Sequence, residues 1–335
     1  MEDILLKSRN SAIDFFKFIA SLMVVGLHTG LFEDVNHEVN FVIVHILFRL
    51  SVPFFVICTG YYLSLSLESH SYSYRSIHRQ ELKLIKMYTF WTIIYLLLSI
   101  PNWVQSGWFS IGAFKDFAVA TIIKGSHYHL WYIISLIYAL PIFWLIAKFL
   151  KNKYMILILA VMLYSFQLIV SGYGFFLSDA VLHALKMTEL FWSLYRAIFF
   201  MLPFLIIGKL LATGIRMTKK TAILGCIISI FLLVAEIYLL RIFLQVGMSF
   251  YIMTMPTMYF LFQLILQISI PVNVHVCTIL GASSTLIYCI HPAIFELLNK
   301  FFSSQSCLYI LTALLSVMFS VVYIVIKRRL LKKHK

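Results

Sequence analysis

Charge is scarce in this chain, and acidic charge scarcer still. Asp and Glu number 13 and Lys and Arg 27 among 335 residues, so 12% of positions are charged while 62% are hydrophobic. That balance excludes an ordinary soluble globular protein and leaves a polytopic integral membrane protein. Paired cysteines are missing too. Cys58, Cys226, Cys277, Cys289 and Cys307 form no C-x-x-C and no metal-ligand spacing, which leaves them as packing residues and gives no reason to expect a metal. There is no N-x-S/T sequon, no low-complexity linker, no visible internal repeat of the transporter kind, and no hydrophilic block large enough for a second domain. Residues 1–335 therefore read as a single membrane domain. The basic start followed by an apolar run has the layout of a signal peptide, but Asp14 and Lys17 interrupt the run and no small-residue cleavage site follows. The reading is an uncleaved first span.

What is present is one long hydrophobic run after another. Ten stretches are long enough to span, with approximate edges at 12–31, 42–64, 84–101, 129–149, 154–173, 194–213, 221–241, 251–271, 279–298 and 306–326. A backbone in hydrocarbon must satisfy its own hydrogen bonds, so the expected fold is all-α with about ten transmembrane helices. The third and fifth stretches are short, and the apolar piece 117–123 reads as a re-entrant or interfacial helix. Lysine and arginine fall in alternate connections. Lys7 and Arg9 precede the first span; Arg75, Arg79, Lys83 and Lys86 lie between the second and third; Lys148, Lys151 and Lys153 follow the fourth. Lys209, Arg216, Lys219 and Lys220 follow the sixth, and the chain closes with KRRLLKKHK. The opposite connections hold only scattered Lys115, Lys124, Lys186, Arg196, Arg241 and Lys300. By the positive-inside rule both termini are expected in the cytoplasm, with the protein in the plasma membrane. The net charge of +14 then faces anionic headgroups and calls for no nucleic acid.

Within the spans the polar residues are not scattered at random. Lys17 and His28 stand eleven positions apart in IDFFKFIASLMVVGLHTG; at ~100° per residue that step returns to within ~20° of its start, so they share one face with Asp14, Ser21 and Val25. With orientation assigned, an outer layer holds His28, Arg49, His127, His129, Arg196, Glu236, Arg241 and His291. Uncompensated charge at that depth costs at least ~2.5 kcal/mol per residue, which predicts a shared hydrated cavity with Arg–Glu pairing. An inner layer holds Asp14, Lys17 and the run SIHRQELKLIKMY, where Arg79, Lys83 and Lys86 recur beside Glu81 as a basic face suited to phosphate. Each feature also has a plainer reading. The run 75–86 serves equally as an interfacial anchor on anionic lipid, Asp14 as N3 of a capping box begun by Ser11, and Lys17 as a snorkelling cation. His28 alone suits a core histidine bonded to a carbonyl, His127 and His129 an amphipathic belt, and Gly26 to Gly30 a close-packing motif.

The opening D-x-x-K-x-x-A-x(7)-H, formed by Asp14, Lys17, Ala20 and His28, resembles the first helix of the membrane acyltransferase-3 family. FRLSVPFFVICTGYYL from Phe48 to Leu63 is similar to that family's second span, and HYHLWYI from His127 and YCIHPAIF from Tyr288 match later landmarks in order and rough spacing. The resemblance covers essentially the whole chain. It implies transfer of an acyl group, usually acetyl, from cytoplasmic acyl-coenzyme A to a hydroxyl of an extracytoplasmic or lipid-linked glycan. It also implies a histidine at His28 and a basic residue eleven positions earlier. The family usually has arginine where this chain has Lys17, so the charge is kept and the bidentate fork is lost. The basic cluster after the second span is thinner as well. FRLSVPFF through GSHYHLWY, YRAIFFMLPFLIIGKLL and AEIYLLRIF are still closer to the membrane half of vancomycin-resistance-type serine racemases, of the same superfamily. That half is thought to take up L-serine for a soluble racemase domain. No such domain follows Lys335, so on this reading the chain is an amino-acid carrier that works alone or with a separate enzyme.

The leading expectation is an O-acyltransferase. His28 is the candidate base for the acceptor hydroxyl, with the ordinary imidazole pKa of about 6.5 suiting it to the task. Arg49 is the candidate oxyanion partner, and Glu236 or His291 the residue that orients His28 or binds the acceptor. Coenzyme A phosphates are expected near Arg79, Lys83 and Lys86, with Lys17 on the path of the pantetheine arm. No permanently bound cofactor is expected, and the partners are membrane lipids, the glycan acceptor and other enzymes of cell-envelope synthesis.

Overall fold

In a computed structural model, which describes residues 10–107, 110–186, 191–214, 216–244 and 250–333, the regular structure of the described residues is helical throughout. In chain order the helices are α1 (Ser11–Thr29), α2 (His37–Val42), α3 (Ser51–Ser69), α4 (Tyr74–Gln105), α5 (Ile111–Ile123), α6 (Trp131–Phe149) and α7 (Lys153–Ser171). They continue as α8 (Asp179–Lys186), α9 (Trp192–Arg196), α10 (Leu202–Thr213), α11 (Lys219–Leu244), α12 (Thr254–Ile265), α13 (Val274–Leu298) and α14 (Gln305–Lys333). Among the described residues nine helical stretches are long and apolar enough to cross a membrane. The protein is a multi-pass membrane protein.

Three expectations change in detail. The third stretch is not short, because α4 is a single helix of 32 residues that joins the basic run to the span. The piece 117–123 belongs to α5, a helix of 13 residues begun by the Ser110 hydroxyl on the Ala113 amide. The stretch 251–271 yields only α12, whose 12 residues give about 18 Å against a hydrocarbon core of ~30 Å. The reason lies in the residues after Ile265. Ile268, Ile270 and Val272 are β-branched and Pro271 biases its predecessor away from the helical region, so the helix stops early.

The chain forms two compact units. The first takes its residues from Met1–Phe55, Arg216–Gly247 and Met253–Lys335. Here α13 packs on both α1 and α14, and α11 packs on α12. Small side chains allow the approach. Gly281, Ser283 and Ser284 are buried on α13, and Thr312, Ser316 and Ser320 form a fully buried row at four-residue spacing on α14. Between helices in lipid, close backbone approach and dispersion replace the hydrophobic drive available in water. The start of α14 is tied down by Asp34, whose carboxylate accepts from the Ser306 hydroxyl at 2.7 Å and from the Ser304 hydroxyl.

The second unit comprises Val56–Ile215 and Met248–Ile252. Its tightest crossing is α3 on α10, where Gly60 faces the Leu205 backbone and Gly208 faces that of Tyr61. A Cβ on Gly60 would lie 2.8 Å from the Leu205 Cα, and one on Gly208 2.6 Å from the Tyr61 nitrogen. Ile156 and Ala160 of α7 pack on Ile206 of α10. The Tyr164 hydroxyl donates to the Tyr251 carbonyl at 2.9 Å, which fixes the segment at 250–252 to α7.

Candidate active site

Helix α1 begins where the Asn10 side chain accepts from the Ala12 and Ile13 amides at 2.8 and 3.2 Å. Asn10 thus stands at the cap position expected of Ser11. Asp14 is buried in the packed face, 3% exposed, against Gly281 of α13. A Cβ at position 281 would lie 2.7 Å from the Asp14 Cβ, so only glycine accommodates this carboxylate there. The helix ends at Gly30, which takes the left-handed conformation, φ 66°, favoured by glycine at that place. Gly30 is therefore the end of α1, while Gly26 is the close-packing glycine: the Phe48 ring fills the space where its Cβ would be, with Cζ at 2.8 Å.

Lys17 and His28 lie beside this packed face, half-buried, with His28 in the last turn of α1. Lys17 stands among buried Ile13, Asp14, Ala20 and Ser21, and His28 among buried Val24, Val25 and Leu31, yet both keep accessible surface. His28 meets His291 of α13. The two imidazoles stack with centroids 5.3 Å apart and 26° between planes. His291 is fully buried, and its Nδ1–H donates to the Ile287 carbonyl at 3.1 Å, which makes Nε2 the lone-pair nitrogen of the neutral ring. Stacking points the nitrogens of both rings sideways in their planes rather than at each other. Tyr288 lies 6.3 Å from His291, and Pro292 removes the helical N–H that would otherwise bond the Tyr288 carbonyl. His291 thus makes a bond to a backbone carbonyl of the kind the plain reading gave to His28.

Arg49 sits in a break in the helical geometry. After α2 the chain makes a π-turn at Ile43–Leu47 and a 3₁₀ turn at Phe48–Leu50 before α3 begins. Such interruptions re-aim a side chain and recur at functional sites. This turn packs on α1 through Phe48, which brings the Arg49 backbone beside the helix that carries His28. Glu236 serves a helix end: its carboxylate accepts from the Met253 amide at 2.9 Å, satisfying the N-terminus of α12. Arg–Glu pairing does occur, but Arg241 takes Glu38, with two bonds of 2.6 Å, and lies 4.1 Å from the Phe41 ring centroid. Of the four candidate catalytic residues, the structure brings His28 and His291 into contact.

The other candidates lie in the second unit. Arg75, Arg79, Lys83 and Lys86 recur on α4 at steps of four, four and three, and all are exposed on one face. The opposite face of α4 buries Ile77, Glu81, Leu84, Tyr88, Trp91 and Tyr95. His127 and His129 share a bond of 3.0 Å between their Nδ1 atoms, and Tyr95 stacks on His127 at 4.2 Å. The guanidinium of Arg196 lies 4.7 Å from both the Trp192 and Phe250 rings and 5.6 Å from Trp131.

A family model described as an acyltransferase domain matches residues 10–326. The chain belongs to the acyltransferase-3 family. Among curated proteins an amino-acid racemase of Enterococcus faecalis is 26% identical over 273 residues, which is 77% of this chain and 36% of that protein. A serine/alanine racemase of Enterococcus gallinarum is 29% identical over 273 residues, 77% of this chain and 37% of its own length. A further amino-acid racemase of Enterococcus faecalis is 35% identical over 130 residues, 38% of this chain and 18% of that protein. The chain thus spans little more than a third of the length of the two relatives it matches most broadly. No solved structure matches it.

The matched region runs from the cap of α1 into α14 and contains both histidines of the stack. Sequence reasoning missed Gly281 and Phe48, which set how closely α13 and the 3₁₀ turn approach α1. A glycine amid VCTILGASS, in a helix rich in small residues, was the available signal for the first. The apolar composition of FVIVHILFRL gives none for the break before Arg49.

Proposed function

We propose that this protein is an integral-membrane O-acyltransferase. It moves an acyl group, acetyl in the simplest case, from cytoplasmic acyl-coenzyme A to a hydroxyl of a cell-surface or lipid-linked glycan. The observation that carries the reading is the His28–His291 stack at the last turn of α1, accessible at His28. In the proposed reaction an imidazole nitrogen of His28 takes the acceptor hydroxyl proton as the oxygen attacks the thioester carbonyl. The carbon–sulfur bond then breaks, the coenzyme A thiolate leaves, and the proton passes to it or to water. His291 holds the His28 ring in plane. Arg49 is assigned to the charge that develops on the carbonyl oxygen, and Glu236 to the acceptor side. Lys17 is assigned to the donor arm, and Arg79, Lys83 and Lys86 to donor phosphates.

A second reading draws on the relatives, whose names are those of serine, alanine and amino-acid racemases. On it the protein is a carrier for a small amino acid such as L-serine. Purified protein in nanodiscs separates the two. Acetyl-coenzyme A binding that weakens in Lys17→Ala, with slow thioester hydrolysis lost in His28→Ala, is the outcome expected of the acyltransferase. No binding at millimolar coenzyme A, with thermal stabilisation by L-serine, would sink it and favour the carrier.

A further inference from the structure

The turn between α3 and α4 holds a conformation that connecting two helices does not require. Ser71 and Tyr72 both adopt left-handed backbone geometry, φ 51° and 58°, although neither is glycine. Residues with a Cβ stay there only where their surroundings over-determine it. Here the Tyr72 amide bonds the Leu67 carbonyl at 2.7 Å, and its carbonyl accepts the Trp144 indole N–H at 2.9 Å. The result is a fixed Tyr72 ring with cations around it. Lys151 Nζ lies 3.5 Å from the ring centroid and Lys209 Nζ 5.4 Å, while Lys148 Nζ lies 4.8 Å from the Trp144 ring.

Lys209 is only 5% exposed, and an ammonium so buried requires counter-charge. Glu68 supplies one negative charge, bonding the Tyr72 hydroxyl and facing Lys209. Glu81 is engaged elsewhere, by the Tyr74 hydroxyl at 2.9 Å and His78 at 3.9 Å. Three ammonium groups against one carboxylate leave two positive charges, which match a phosphate monoester dianion. The end of α3, the turn after it, the end of α6 with the residues that follow, and the second half of α10 supply these groups. They lie at the end of the unit that the lysine and arginine pattern assigns to the cytoplasm.

We propose that the Tyr72 turn is a binding site for a soluble phosphate monoester, with Lys148, Lys151 and Lys209 as its anion ligands. Tyr72 and Trp144 hold the ammonium groups in place, and Glu68 competes with the phosphate for them. The identity of the ligand rests on the acyltransferase reading, in which the phosphomonoester belongs to the nucleotide end of the acyl donor.

The test is calorimetric titration of adenosine 3′,5′-bisphosphate into protein in nanodiscs of neutral phosphatidylcholine. Lys151→Gln should weaken binding about tenfold or more, and Glu68→Gln should tighten it, since one removes a ligand and the other a competitor. Lys115→Gln, an exposed lysine away from the turn, should leave it unchanged. Unaltered affinity in both Lys151→Gln and Glu68→Gln would overturn the site and return the lysines to neutralising helix C-termini. Absence of bisphosphate binding by the wild type overturns it too; if His28-dependent hydrolysis of acetyl-coenzyme A persists, the acyltransferase reading stands without this site. Lysine-dependent binding of phosphatidylglycerol but not of the bisphosphate would assign the turn to a lipid headgroup and overturn the soluble ligand.

Discussion

His28 and His291 come from helices 263 positions apart in the chain, and their contact is face to face. A stacked partner positions a ring by its shape, whereas a hydrogen-bonded partner positions it by its nitrogen. The two modes predict different variants. If His291 acts by stacking, His291→Phe should keep most of the hydrolytic activity on acetyl-coenzyme A, while His291→Ala should lose about 10–100-fold as the His28 ring gains freedom. On the proposed reaction, with His28 as the base, the acid limb of the pH–rate profile should survive in His291→Phe and vanish with activity in His28→Ala. Equal loss in the phenylalanine and alanine variants would show that an imidazole nitrogen of His291 takes part directly. From the sequence, the helical period gave the common face of Lys17 and His28, because that relation is local. The sequence named His291 as a partner only alongside Glu236 and did not choose between them, because the register of α13 on α1 is set by Gly281 and Asp14.

At the scale of elements, helix ends account for three polar side chains that the hydrophobic pattern does not explain. Asn10 caps α1, Glu236 takes the first amide before α12, and Asp34 reaches across 272 positions to the start of α14. Bonds from the Ser304 and Ser306 hydroxyls hold the Asp34 carboxyl down to about 2 from its ordinary value of 3.8. A depressed carboxylate stabilises the fold fully above its unfolded value, and the contribution is lost as pH falls from about 4 through about 2. Asp34→Asn should therefore lower the melting temperature at neutral pH and flatten its decline between those pH values. An unchanged melting curve at both ends would mean that the tie does not stabilise the fold. The acidic residue Glu236 read as a site candidate because intramembrane carboxylates are costly. Its bond to Met253 shows how a backbone amide at a helix start can offset that cost.

At the scale of the whole molecule, the nine long apolar helices among the described residues differ in parity from the expectation, drawn from the basic pattern, that both ends lie on one side. With both ends on one side the number of crossings would be even, and segment 251–271, in which α12 is the helical part, would supply the tenth. Thr254, Met255, Thr257, Met258, Phe262, Gln263 and Ile265 are buried on α12, and backbone shielded by protein is where irregular structure is tolerated at membrane depth. In a cysteine-free background, a membrane-impermeant maleimide applied to intact cells should label Lys300→Cys and spare Thr218→Cys. Labelling of both or of neither would mean that the segment does not cross. The sequence by itself determined the class, the approximate spans, the shared face of Lys17 and His28, and the membership of the acyltransferase-3 family, because composition and period are properties of the chain alone. The tertiary structure decided which ring stacks on His28, which carboxylate Arg241 pairs with, which glycine Asp14 packs on and which helix-end amide Glu236 accepts from. These depend on helix register, which small residues such as Gly26 and Gly281 permit by their absence of side chain, and which no local pattern in an apolar helix encodes.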